Sequence, residues 1–245
     1  MAIRLSSSQS GQSLVELGAL LALVSLTAIL GLSMIGVNVG SVFDTVACQI
    51  AKALGDDEQC EEISNLLFHD SFDNLDAWYK EYGNWQLKDG QLCVNGSGRI
   101  FRPVEEDNYR IRIDQAMLTS GPGHGVFFRA TNFDARTKVN GYTFQYDKVL
   151  KAFVIRKWIN GNEVYDPPHV ARAPAPDNYA WHNTNRQIEL EVKGNTFTAY
   201  VDGVQVLSAS DDTYSSGGIG FRTWNHTSES TTDACFDDVS VTALP

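Results

Sequence analysis

Residues 187–210 read QIELEVKGNTFTAYVDGVQVLSAS, and this stretch decides the fold of most of the chain. Ile188, Leu190 and Val192 alternate with Glu189, Glu191 and Lys193. A period of two sends successive side chains to opposite faces, as a strand with one buried and one wet face requires. The runs that follow, TFTAYVDG and VQVLSAS, are rich in aromatic and β-branched residues and are bounded by Gly, Asn or Asp. Short runs of this kind, separated by turn residues, read as consecutive antiparallel strands.

The same pattern extends in both directions. YRIRIDQAML, GVFFRAT, GYTFQYD and KAFVIRKW precede the stretch, and GGIGFRTW and ACFDDVSVTAL follow it. Asp89-Gly90, between WQLK and QLCV, is a two-residue hairpin signal. No long helical window separates these runs. From about residue 68 onward the chain therefore reads as an all-β antiparallel sandwich or barrel, with Trp85 in its core.

The whole chain has 245 residues and a formal net charge of -11. An acidic chain repels phosphate backbones, and no basic stripe interleaved with aromatics appears, so nucleic acid is not an expected partner. The charge is uneven. The 27 residues from Leu17 to Phe43 carry none, whereas Asp56, Asp57, Glu58, Glu61 and Glu62 crowd together beyond them. A helix of that uncharged length spans roughly 40 Å, enough for a hydrocarbon core of about 30 Å. It also exceeds the apolar region of an ordinary signal peptide. Arg4 is the only charge ahead of Glu16, which predicts a cytoplasmic N-terminus. Glu58, Glu61 and Glu62 with Ile63, Leu66 and Leu67 read as a short amphipathic helix in an acidic linker, residues 55–67.

Glu16 opens the apolar run, and an ionised carboxylate there needs a partner. Cleavage after Gly11 would create one in the new α-amino group of Gln12. Gly18 with Ala22, and Gly36 with Gly40, have the spacing that lets apolar helices approach closely. The segment GQSLVE, residues 11–16, followed by LGALLALVSLTAILGLSMIGVNVGSVF, closely resembles Flp-type (Tad) pilins of the type IV class. Leu17 stands where that family usually has Tyr. The resemblance implies a leader of residues 1–11 removed by a prepilin peptidase, and a filament-core helix over residues 12–54. It further implies that Glu16 contacts the amino terminus of a neighbouring subunit. The expected partners are then copies of the chain, the peptidase and assembly machinery, and the membrane before assembly. The expected location is an extracellular surface filament.

Residues 68–245 resemble concanavalin A-like/laminin G-like sandwich modules. The resemblance is carried by DSFDNLDAWYKEYGNWQLKDGQL, IELEVKGNTFTAYVDGVQV, and SSGGIGFRTW followed by FDDVSV. It implies a jelly roll, in which first and last strands are neighbours. The four cysteines sit in no CxxC pair, and behind an export segment an even count favours two disulfides. Three pairings exist. The favoured one joins Cys48 to Cys60 across a short loop and Cys93 to Cys235, an early strand to the last.

Chemistry is less legible. Glu189 and Glu191 share a strand face, as paired carboxylates of a glycosidase would. Hydrolases resembling glycoside hydrolase family 16 carry a third acid further along, where this chain has Lys193. The pair therefore reads as an outward charged face, and no enzymatic activity is expected. His69, His124, His169, His182 and His226 form no zinc motif, and Gly121-Pro-Gly-His-Gly125 reads as a turn. No cofactor is expected. Calcium is a candidate through Asp70, Asp73, Asp237 and Asp238. Trp158, Trp181 and Trp224 are candidate glycan platforms, with Tyr146 and Tyr165 as further rings. The expected function is a structural pilus subunit with a β-sandwich head. A filament-borne glycan adhesin and a membrane-tethered glycan-active enzyme are the alternatives.

Overall fold

The computed structural model describes residues 65–133, 138–225 and 231–245. Gly11, Gln12, Glu16, Cys48, Cys60, His226 and the apolar run from Leu17 to Phe43 lie outside them. Among the described residues no helix is long and apolar enough to cross a membrane.

Among the described residues fourteen strands follow one another: β1 (Leu66–Asp70), β2 (Tyr79–Lys88), β3 (Gln91–Arg102), β4 (Tyr109–Ser120), β5 (Gly123–Thr131), β6 (Asn140–Asp147) and β7 (Ala152–Ile159). After these come β8 (Asn162–Glu163), β9 (Ala171–Pro174), β10 (Asn185–Lys193), β11 (Thr196–Val201), β12 (Val204–Ser210), β13 (Gly218–Thr223) and β14 (Asp233–Ala243). The pairing order is β12-β11-β10-β4-β14-β3-β13-β5-β6-β7-β8, with β1 on β14, β2 on β3 and β9 on β7. This continuous ribbon is folded on itself at β14 and β3. The outer sheet runs from β12 to β14 and β1, and the other sheet runs from β2 and β3 to β7.

Between the sheets lies the main core. Ile111, Ile113, Ile188, Leu190 and Val192 come from the outer sheet; Ile100, Val126, Phe144 and Phe221 come from the other. Aromatic contacts bridge the layers. Phe236 lies 4.4 Å from Phe221, and Phe197 lies 4.9 Å from Phe128. Trp85 is 2% exposed and packs near Phe236. The Asp89-Gly90 turn joins β2 to β3 with both residues at positive φ, 53° and 79°, the geometry that matches strand twist in a two-residue hairpin.

The Cys93–Cys235 bond sits at the fold of the ribbon. These residues are direct partners in the β3–β14 register, with Cα atoms 4.1 Å apart. One expectation is corrected here. Leu66 and Leu67 belong to strand β1 and not to an amphipathic helix, and the sheet begins before Phe68. Leu66 pairs with Thr242 and Phe68 with Val241. Ladder hydrogen bonds to β14 and the packing of Phe68 against the core override the local helical spacing.

Candidate functional site

The sheet of β3, β13, β5, β6 and β7 is covered on both faces, and its second face carries the site. Alternation fixes which side chains point there. Arg99 and Phe101 flank core-facing Ile100, and Arg222 follows core-facing Phe221. Thr143 and Gln145 alternate with Tyr142, Phe144 and Tyr146. A small second apolar cluster of Phe101, Phe127, Ala130, Val139 and Trp158 underlies this face.

Beside that cluster opens a cleft of about 560 Å³, lined among others by Arg99, Gln145, Asp147, Arg156, Trp158, Glu163, Tyr165, Arg222 and Trp224. Its polar groups are tied together. Glu163 accepts from Arg222 Nη1 and from Gln145 Nε2 at 2.8 Å, and its other oxygen lies 3.3 Å from Arg156 Nε. Arg156 Nε donates to Gln145 Oε1 at 3.0 Å. Trp158 Nε1 donates to Thr143 Oγ1 at 3.0 Å. Arg99 donates to Glu81 and to the Gly161 carbonyl, each at 3.3 Å. Burial pushes the Glu163 carboxyl up, but Arg222 and Arg156 outweigh it and hold the group below its usual range. Burial pushes the Asp147 carboxyl up, against its hydrogen bond from the Leu150 amide.

The guanidinium groups are stacked on indoles. Arg222 lies 4.5 Å from the Trp158 and Trp224 ring centres, and Arg99 lies 4.7 Å from Trp158. Strand β5 makes room for this stack by carrying no side chain beneath it. A Cβ at Gly123 would come within 2.9 Å of the Trp224 ring, and one at Gly125 within 3.0 Å of Arg222 Cγ. The glycine-rich 121–125 segment is thus a turn only at its start; the rest is β5. Tyr165, 74% exposed, stands at the rim with Val149.

Two of the three candidate tryptophans meet here. Trp158 is buried with an edge on the cleft, and Trp224 is half-buried. Trp181 is elsewhere, packed at the core margin against Tyr146, Tyr179 and Phe153. Glu189 and Glu191 lie on the outer face of β10, clamped by Arg110 at 3.3 and 2.5 Å. Asp70 is committed to the Phe72 amide, Trp78 Nε1 and Arg102, while Asp238 meets His69. Among the described residues no group of three or more His, Cys, Asp or Glu side chains could hold a metal ion. The arginines, Gln145 and Glu163 were not singled out in the sequence. The available signal was arginine recurring inside the strands SGRIFR, KAFVIRKW and GGIGFRTW.

A family profile described as 3-keto-alpha-glucoside-1,2-lyase-like domain matches residues 65–242. The chain belongs to this family. The matched span takes in every strand of both sheets and the whole cleft, so the 3-keto-alpha-glucoside-1,2-lyase-like domain is the β-sandwich itself. No curated protein matches the sequence. Among solved structures, the carbohydrate-binding module CBM66 from Bacillus subtilis superposes with a TM-score of 0.56 at 20% identity, over 68% of this chain and 96% of that one. A Bacillus licheniformis beta-glucanase gives 0.53 at 14% identity, over 72% and 98%. A Bacillus subtilis protein of galectin-like fold gives 0.52 at 15% identity, over 73% and 96%. At these identities the likeness shows the fold, a galectin- or concanavalin-like sandwich.

Proposed function

We propose that the sandwich is a saccharide-binding head. The observation that carries this is the cleft, where the rings of Trp224 and Tyr165 stand beside hydrogen-bonding groups held in place by one another. Sugars present apolar ring faces and a belt of hydroxyls, so a site for them pairs aromatic surface with a few fixed polar groups. Folds of this kind among carbohydrate-binding modules and glucanases support the reading without assigning a ligand. Tyr165→Ala and Trp224→Ala are expected to weaken glycan binding about tenfold or more, a loss of about 1.4 kcal/mol each, the exposed Tyr165 with little change in melting temperature and Trp224 with a lower one, because its ring stacks on Arg222. Titration of the full chain against a glycan panel measures this. Unaltered affinity in both variants would remove the cleft from the proposal.

A second reading is enzymatic. It is favoured by the family match and by two cleft carboxylates whose environments push their pKa values in opposite directions, Asp147 up and Glu163 down. Release of free sugar from a 3-keto-glucoside in the same titrations would favour it over binding alone.

For the setting of the head we propose a surface filament. Support comes from Gly11, Gln12 and Glu16 together with the uncharged run behind them. Protein sheared from cells should begin at Gln12 by mass spectrometry; a chain that keeps Met1 or Ala2 would point to a tethered domain instead.

A further inference from the structure

We propose that the saccharide taken by this cleft is acidic, with a carboxylate, as in a uronic acid, received by Arg222. The proposal rests on the saccharide-binding reading and narrows it to a substrate class.

Charge is the first ground. Among the side chains that line the cleft, the three guanidiniums of Arg99, Arg156 and Arg222 stand against the two carboxylates of Asp147 and Glu163, and Glu81 balances Arg99 from outside the lining. Glu163 is shared by Arg156 and Arg222, so neither has an acid to itself. The acid that meets Arg99, Glu81, does not line the cleft.

Unmet hydrogen-bonding capacity is the second ground. Arg222 and Arg99 are 8% and 9% exposed, and the Nε of each has no hydrogen-bond partner. A guanidinium taken out of water without enough acceptors is costly. Stacking on Trp158 and Trp224 occupies guanidinium faces; both Nη atoms of Arg99 are bonded, to Glu81 and Gly161, and Arg222 Nη1 to Glu163, which leaves Arg222 Nη2 as the donor for a ligand. A carboxylate is the acceptor whose two oxygens match a guanidinium edge. A neutral hydroxyl supplies one acceptor and no charge.

The test alters the ligand, so it does not depend on whether a buried arginine can be replaced. The full chain, held in a polyoxyethylene detergent that carries no sugar, is titrated calorimetrically. The probes are oligosaccharides of galacturonate, glucuronate and mannuronate, each paired with its carboxyl-reduced counterpart, and a set of neutral glycans. At least one uronate should bind about tenfold or more tighter than its reduced partner, and the gap should narrow as sodium chloride is raised. Arg222→Lys, which keeps the charge and loses the fork, should shrink the same preference. Equal affinities within every pair that binds, or binding confined to neutral glycans, would overturn the charge proposal and leave the saccharide reading standing. No binding by any probe would remove both.

Discussion

Arg129→Met is expected to lose roughly 2–3 kcal/mol of folding stability, because three partly buried carbonyls lose their donor at once. Arg129 is 2% exposed, and its guanidinium donates to carbonyls and not to a carboxylate. Its Nη1 donates to the Tyr214 carbonyl at 2.8 Å, and its Nη2 to those of Asp107 and Gly194 at 3.2 and 2.5 Å. Those carbonyls belong to the β3–β4, β10–β11 and β12–β13 connections. One side chain therefore ties three loops at one end of the sandwich, over the ring of Phe197. The backbone is arranged for it: φ at Arg129 is 50°, within the irregular register between Phe128 and Thr131. A bulge of this kind re-aims a side chain. The Arg129 amide itself donates to Tyr109 Oη, which donates onward to Gly217. Urea melts measure the loss; Arg129→Lys, with one compact head in place of a fork, should fall between the two. A Met variant within about 1 kcal/mol of the parent, the worth of one ordinary hydrogen bond, would show that the loops hold without it.

The second large effect is acid sensitivity centred on His124. The imidazole is 1% exposed, stacks on Tyr146 at 5.0 Å and meets Phe236 edge-on at 5.2 Å. Neither ring nitrogen has a hydrogen-bond partner. Burial lowers its pKa from 6.5 to about 3. Between those values the unfolded chain holds one proton more than the folded chain, so stability falls as pH falls through that window. Above it both states are neutral and His124 contributes nothing. The loss accumulates to about 5 kcal/mol, at roughly 1.4 kcal/mol per pH unit. His124→Phe keeps an aromatic ring between Tyr146 and Phe236 and removes the titration. Its stability should depend on pH less steeply than the parent's across the acid range. Parallel curves for the two proteins would mean that the imidazole is solvated or partnered in solution.

Much of the sandwich was readable because its outer sheet has one wet face. In β10, Ile188, Leu190 and Val192 are buried and Glu189 and Glu191 are not, so alternation is written in the residues. The second sheet is different. Residues 141–147 of β6 are all buried, since both faces are covered. Gln145 and Thr143 then sit among aromatics with no polar rhythm to mark them. The cleft also draws on Arg99, Arg156 and Arg222, which no local window contains and which only the β3-β13-β5-β6-β7 order brings together. Gly123 and Gly125 were misjudged for a related reason. A glycine that opens space for a side chain on a neighbouring strand looks, in sequence, like one that opens a turn. Leu66 and Leu67 show the remaining limit: their partners lie in β14, at the far end of the chain.

The cross-strand bond between Cys93 and Cys235 also has a mechanical meaning. On the proposed saccharide-binding function, a sugar held in the cleft would pull on the sheet of β3, β13 and β7, whereas β1, where the described chain begins, is laced to β14 in the other sheet. Tension between residue 65 and a ligand therefore loads the seam where the two sheets meet. Only the first part of β14, Asp233–Phe236, is hydrogen-bonded to β3 there. Weak bonds in so short a row could unzip one after another, but a covalent rivet in the middle of the row stops the tear. The seam between the two sheets thus withstands a load its hydrogen bonds alone would not bear.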